Sequence, residues 1–157
     1  SQNDPFTIMY DSWKKGQREL VPLSPKDARH QAAVIDAKVL SNRKPPYPIA
    51  GGVYDATLDS NGDMFKVTNE ELEAWKNKFE ELEGYDIYSA AAVAVASLAQ
   101  AVEECKVGKD EVIMLNITGG GEKIAKKTGK IFFPFPDLIL DPSDREEDIL
   151  GNSLNLF

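Results

Sequence analysis

The sequence predicts an α/β fold, in which helices flank a mostly parallel sheet in three layers. Three observations support this prediction. Amphipathic helices recur along the chain, residues 110–118 (DEVIMLNIT) form a continuous apolar run, and a helix of small apolar residues precedes that run. A strand without polar alternation is typical of a parallel sheet that is covered on both faces. Helices that alternate with such strands indicate α/β architecture.

Length, composition and charge restrict the class of protein. The 157 residues are enough for one domain, which we place over residues 1–157, and a content of 42% hydrophobic and 28% charged residues is globular. The net charge of −8 argues against a nucleic-acid partner, and no segment has the length and apolarity that predict a membrane partner. The single cysteine, Cys105, fits a cytoplasmic protein, and together with the single histidine, His30, it is too few ligands for a zinc site.

The first half of the chain predicts three helices and an ordered loop. Asp4 as cap and a proline at the first helical position predict a helix that ends at Gly16. Ser24, followed by a proline, predicts the start of a second helix. The proline-rich segment 42–52 is expected to be a loop, because proline removes a hydrogen-bond donor and restricts the residue before it. A short helix is predicted in residues 51–58.

The second half predicts two strands, two helices and a tail. Residues 63–68 alternate weakly and indicate a short strand, after which Thr68 or Asn69 caps a helix that ends near Gly84. The following helix is apolar around most of its circumference and is expected to be buried before the strand at 110–118. The tail, from about residue 126 to 157, is hydrophobic and broken by prolines, so we expect it to pack on another surface.

The segment 59–70 imitates a calcium-binding loop. Its acidic and amide residues occupy positions 1, 3, 5 and 12 of such a loop. The sharp turn at position 6 requires glycine, but this chain has Met64 there, and Gly62 comes two places early. We therefore expect a polar, hairpin-like loop and no metal.

The strongest candidate site is the segment 115–123 (LNITGGGEK). Thr118 ends the predicted strand, and ligands of open parallel sheets bind at the carboxyl ends of strands. Gly119, Gly120 and Gly121 would let backbone N–H groups approach an anion or a ring. A flexible turn is the alternative interpretation, and the pattern alone leaves both open.

A second candidate site is Asn42 and Arg43, at the start of the proline-rich loop. A guanidinium held on a stiff loop suits a phosphate or a carboxylate, which it can bind with two parallel hydrogen bonds. A purely structural turn is the alternative.

Three stretches together carry a resemblance to a known family. They are residues 1–13 (SQNDPFTIMYDSW), residues 38–57 (KVLSNRKPPYPIAGGVYDAT) and residues 90–122, which include AAAVAVASLAQAVEE and VIMLNITGGGE. In this order they resemble the C-terminal part of the cysteate synthases, relatives of threonine synthase among the pyridoxal-phosphate enzymes of the tryptophan-synthase β fold (fold type II). The resemblance covers residues 1 to about 125, and the tail is not matched.

The resemblance implies roles for the candidate residues. The Thr118 hydroxyl would bond the pyridine nitrogen of pyridoxal 5'-phosphate, and Gly119 to Gly121 would let the backbone lie against the ring. Gln2 and Asn3 would face the cofactor from a neighbouring strand end. Asn42 and Arg43 would contact the phosphate or sulfonate of the substrate.

The resemblance also implies a reaction. O-phospho-L-serine would lose phosphate, and sulfite would replace it to give L-cysteate, in an enzyme expected to be a homodimer. The lysine that carries the cofactor is expected N-terminal to Ser1, so we expect this chain to be a C-terminal fragment that is inactive alone. The alternatives are a threonine synthase acting on O-phosphohomoserine and a non-catalytic α/β interaction module. The three glycines without a histidine favour the cysteate reaction.

Overall fold

The computed structural model of the chain describes residues 1–129, 134–140 and 143–154, with side chains described up to residue 151. The described residues divide into two compact units between Ile124 and Ala125. The helices are α1 (Ile8–Lys14), α2 (Pro25–Val34), α3 (Val53–Asp59), α4 (Asn69–Glu83), α5 (Ser89–Glu103), α6 (Glu122–Lys127) and α7 (Glu146–Leu154), with a 3-10 turn at Lys38–Leu40.

The first unit contains a small parallel sheet. Strand β1 (Gln2–Asn3) pairs with β2 (Lys66–Val67), which confirms the short strand predicted in residues 63–68. The main-chain N–H of Asp4 continues the ladder by donating to the carbonyl of Val67 at 2.8 Å. Two parallel strands among helices are compatible with the predicted α/β class.

The predicted strand at 110–118 is wrong for the described part of the chain. Residues 111–118 enter no ladder with any described residue, and Val112 and Met114 are 100% and 94% exposed. Leu115 and Ile117 instead pack against the core. Successive side chains of this part of the segment therefore point alternately toward the core and toward solvent, as they do in an extended chain. The apolar run predicted a strand covered on both faces, but a strand also needs neighbouring strands to pair with, and no described segment pairs with this one.

The predicted start of the first helix is also wrong. The helix begins at Ile8, after Thr7, rather than at Asp4 and Pro5. Asp4 instead lies in a turn, in which the N–H of Phe6 donates to the Asn3 carbonyl, and its own hydrogen bond to β2 outweighs the local cap signal. Gly16, with φ +64°, follows the end of the helix as predicted.

The other helix signals are confirmed. The Ser24 hydroxyl accepts from the N–H of Asp27 at the start of α2. Thr68 and Glu71 form a reciprocal capping box at the start of α4, and Gly84 ends that helix with φ +75°. Within the described residues, no helix is both long and apolar enough to cross a membrane.

In the segment 59–70, which resembles a calcium-binding loop in sequence, the Asp63 carboxylate accepts several hydrogen bonds, including bonds from two lysines. The Asp63 carboxylate accepts from Trp13 Nε1 at 2.8 Å, from Lys14 Nζ at 2.9 Å and from Lys106 Nζ at 2.5 Å. Burial alone would raise the pKa of Asp63, but these bonds, with one from the N–H of Met64, outweigh it and hold that pKa well below its usual range. No acidic, histidine or cysteine cluster able to hold a metal occurs in the described ranges.

The core of the first unit is built around α5. Its small residues pack against α4, β2 and the 3-10 turn, and Trp75 and Phe79 of α4 close the cluster from one side. A second cluster lies under α1 and α2. The buried helix predicted before residue 110 is thus confirmed, although it ends at Glu103.

Candidate functional site

The glycine loop, residues 119–121, is hydrogen-bonded to residues 86–88, the segment that precedes α5. The N–H of Tyr88 donates to the carbonyl of Gly119 at 3.1 Å, and the N–H of Gly121 donates to the carbonyl of Asp86 at 2.7 Å. Between these bonds, Ile87 and Gly120 form an antiparallel bridge. Residues 119–121 and 86–88 therefore lie directly against each other.

This contact gives a structural reason for each glycine. A Cβ at Gly119 would lie 2.8 Å from Cδ2 of Tyr88, and a Cβ at Gly120 would lie 2.7 Å from Cα of Ile87 and closer still to the Asp86 carbonyl. Gly121 has open space but a φ of +77°, which favours glycine. The close backbone approach that three glycines indicate is made here to the protein itself.

Two cavities flank Thr118 and Gly119. The α5-side cavity, of about 380 Å³, is lined by the turn 36–39, residues 88–91 and Thr118–Gly119. The α4-side cavity, of about 450 Å³, lies between α4, residues 85–87 and residues 117–121. Both have the size of small-molecule sites, and both share the end of the apolar run.

Thr118 is free to contact a ligand. Its side chain is exposed, and its hydroxyl makes no hydrogen bond to the residues that the structure describes. It lines both cavities, so a small molecule in either could accept from or donate to it.

Gln2 and Asn3 are buried, and Asn3 is bonded to the wall of the α5-side cavity. Asn3 Oδ1 accepts from the N–H of Asp36 at 3.0 Å and of Ala37 at 2.9 Å, and both of these residues line the cavity. Asn3 Nδ2 also donates to the Val67 carbonyl at 2.9 Å. The Gln2 amide oxygen accepts from two main-chain N–H groups in α1. Neither side chain lines either of the two cavities.

Asn42 and Arg43 are not brought together with Thr118. Asn42 Oδ1 accepts from the N–H of Lys44 at 2.9 Å, which is a local turn contact. Arg43 Nη1 makes a long hydrogen bond, 3.5 Å, to the Leu23 carbonyl. Neither residue lines the two cavities beside Thr118.

The sequence reasoning missed the walls of the α5-side cavity. Nothing in the sequence of residues 36–39 indicates a binding site, and this turn is held at the site by the long-range bonds of Asn3. Tyr88 and Ser89 come from the start of α5, where the short link between two predicted helices, residues 84–88, was the available signal.

The α4-side cavity carries acidic groups, and an ion pair lies near it. Lys123 Nζ bonds the Glu80 carboxylate at 2.6 Å, and this hydrogen bond raises the pKa of Lys123. The main-chain N–H of Lys123 donates to the carboxylate of Asp86, 3.1 Å from Oδ1 and 3.3 Å from Oδ2. The first turn of α6 is thereby tied to the segment before α5.

Comparison with known proteins identifies relatives along nearly the whole chain, although no family model matches it. The chain is 47% identical over 151 residues to a protein named cysteate synthase from Methanosarcina mazei, an alignment that covers 96% of this chain and 36% of that protein. Its identity to the protein of the same name from Methanosarcina acetivorans is 45%, covering 92% of this chain and 35% of that one. For Methanosarcina barkeri the identity is 50%, covering 81% and 31%. The chain thus spans about a third of the length of these curated relatives.

Proposed function

We propose that this chain, which belongs to the cysteate synthase family as a part of about a third of its members' length, supplies one side of the active site of such an enzyme. The complete protein would make L-cysteate and phosphate from O-phospho-L-serine and sulfite. The observation that carries the proposal is the 47% identity over 96% of the chain to a protein of that name. The chain alone would be inactive, because the cofactor's lysine is expected in the remainder of the protein.

The residues around Thr118 fit the cofactor that such an enzyme needs. Pyridoxal phosphate, when bound, supplies an electron sink for the loss of the substrate's phosphate. The α5-side cavity, about 380 Å³ in volume, offers a hydroxyl without a partner among the described residues and the aromatic ring of Tyr88. These groups suit a flat heteroaromatic ring, so we propose that Thr118 bonds the pyridine nitrogen there.

The choice of a hydroxyl at this position has a chemical consequence. A carboxylate would stabilise a proton on the pyridine nitrogen, whereas a neutral hydroxyl does not. With less positive charge on the ring, the bound cofactor would favour replacement at the substrate's β-carbon over transamination. Thr118 would therefore select the type of reaction as well as hold the ring.

The three glycines and the buried side chains of Gln2 and Asn3 would position the residues that line the cavity. Gly119, Gly120 and Gly121 fix the path of the loop that presents Thr118, and Asn3 holds the turn at 36–37 that forms the opposite wall. Gln2 would hold β1, in which Asn3 lies, against α1. The sequence predicts that these residues also contact the cofactor directly. The glycines would do so through main-chain groups, and Gln2 and Asn3 through side chains that are placed differently in the complete protein.

For Asn42 and Arg43 we keep the proposal of a substrate contact. The described contacts of Arg43 include one long bond to the Leu23 carbonyl, so most of its guanidinium donors remain for an anion. A phosphate or sulfonate is the expected partner, because it accepts two parallel hydrogen bonds from one guanidinium.

We propose that residues 111–117 become a strand of a fold type II sheet in the complete protein. The exposed side chains of Val112 and Met114 and the unpaired main chain would be covered by the remainder of the polypeptide, since the chain spans only 36% of one such relative. The homodimer and the cytoplasmic location are proposed with the enzyme, and the exposed free thiol of Cys105 fits a reducing compartment.

This proposal predicts a cost for charge at Met114. In the complete protein, Met114→Lys is expected to lower the free energy of unfolding by about 2 kcal/mol or more, because it buries an unpaired ammonium group. Leu58→Lys, on the exposed side of α3, is the control and is expected to change it by less than about 0.5 kcal/mol. Urea denaturation measures both. Equal, small changes would contradict a covered strand at this position.

The activity is tested by phosphate release from the complete protein with pyridoxal phosphate. O-phospho-L-serine with sulfite and O-phosphohomoserine with water are offered separately, and we expect turnover with the first pair only. Turnover with the second alone would show a threonine synthase. Absence of turnover with both would contradict the enzymatic proposal and support an interaction module.

A further inference from the structure

Asp86 joins the two segments of the site through its main chain and its side chain at once. Its carbonyl accepts from the N–H of Gly121 at 2.7 Å, and its carboxylate accepts from the N–H of Lys123 at 3.1 and 3.3 Å. The residue is buried, with 9% of its surface exposed. Asp86 therefore contacts the glycine loop at two points on the C-terminal side of Thr118.

Among the hydrogen bonds that the structure describes between these two segments, the bond to the Asp86 carboxylate is made by a side chain. The bonds of Tyr88 to Gly119 and of Gly121 to Asp86 join main-chain groups, so a substitution at position 86 removes no atom of these bonds and weakens them only by loosening the loop. A hydrogen bond to a charged acceptor is roughly twice as strong as one between neutral groups. The loop it restrains contains three consecutive glycines, which have more conformational freedom to lose than any other residue.

We propose that Asp86 is a positioning residue: by tying the N–H of Lys123 to the segment before α5, it holds Thr118 in the orientation that lines the cavity. This inference rests on the proposed binding of pyridoxal phosphate at Thr118. Asp86 lines the α4-side cavity and not the α5-side cavity, so it acts through the loop and does not touch a ligand of the α5-side cavity.

The first test is hydrogen exchange of the amides of residues 119–123 in the complete protein without cofactor. Asp86→Ala is expected to speed exchange at Lys123 and Gly121 about tenfold or more, because a restraint on the loop is lost. Asp86→Asn keeps an acceptor oxygen at the same place and is expected to stay within about threefold of the unchanged protein. Asp59→Ala, which removes an exposed carboxylate elsewhere, is the matched control. Unchanged exchange in Asp86→Ala would overturn the restraint.

The second test is a double-mutant cycle on the dissociation constant of pyridoxal phosphate. Asp86→Ala is expected to weaken binding about tenfold when Thr118 is present but less than about twofold in a Thr118→Val background, because a residue that acts through another loses its effect with it. Equal losses in both backgrounds would overturn the positioning role. Asp86→Ser, too short to reach Lys123, replaces Asp86→Ala in both tests if the alanine variant does not fold. Failure of the unchanged protein to bind would contradict the proposed function, whereas the exchange result would still decide the restraint.

Discussion

Replacing Gly120 by alanine is expected to lower the free energy of unfolding of this chain by about 3 kcal/mol, near the upper end for a small-to-large change in a packed site. The added Cβ would lie 2.7 Å from Cα of Ile87 and closer still to the carbonyl of Asp86. Both are main-chain atoms, which cannot turn aside as the end of a flexible side chain can. Relief requires the loop to move away from residues 86–88, and this breaks the bond between Gly121 and Asp86.

Gly108→Ala is the matched control for this prediction. A Cβ there would meet only the side chain of Glu111, at 3.7 Å, which is ordinary van der Waals contact. Its φ does not lie in the left-handed region, so the free energy of unfolding is expected to change by less than about 0.5 kcal/mol. Urea denaturation of the two variants beside the unchanged chain measures the difference. If both glycines tolerate alanine equally, the loop does not pack against residues 86–88 in solution.

The parts of the fold that the sequence predicted correctly are those with local signals. Ser24 at the start of α2, and Thr68 with Glu71 at the start of α4, act within three residues of each other. The errors lie where distant residues decide the structure. Asp4 carries a cap signal but is bonded to β2, and residues 110–118 have the composition of a buried strand without a neighbour in the described chain.

In the candidate site, too, the residues with a continuous sequence pattern were predicted, and those placed by distant contacts were missed. Thr118 and the three glycines were found because their pattern is continuous in the sequence. The opposite wall was missed because it depends on Asn3, whose side chain reaches Ala37 across 34 positions of the chain. Asp86 was missed because a single carboxylate before a helix carries no pattern of its own. A functional site assembled by buried amides and main-chain carbonyls is visible only after the chain is folded.

Thr118→Asp is expected to lower kcat for cysteate formation in the complete protein about 100-fold, the size of a lost electrostatic contribution at a reacting centre. Thr118 lines the α5-side cavity with its hydroxyl exposed, so an aspartate there would present its charge to the pyridoxal phosphate that we propose binds in that cavity. That charge would keep a proton on the pyridine nitrogen and would favour transamination over replacement of phosphate by sulfite.

Thr118→Ser is the control, because it keeps the hydroxyl and is expected to retain kcat within about threefold, whereas a change at a merely structural position would affect both variants through folding. Cysteate formation measures the main reaction, and formation of 3-phosphohydroxypyruvate, the keto acid that transamination of O-phospho-L-serine gives with its phosphate retained, measures the competing one. Thermal unfolding of the three proteins checks that the substitution leaves the fold intact. Full replacement activity in Thr118→Asp would show that the ring nitrogen lies elsewhere, and the loop that Asp86 and the glycines hold would then serve the packing of the chain alone.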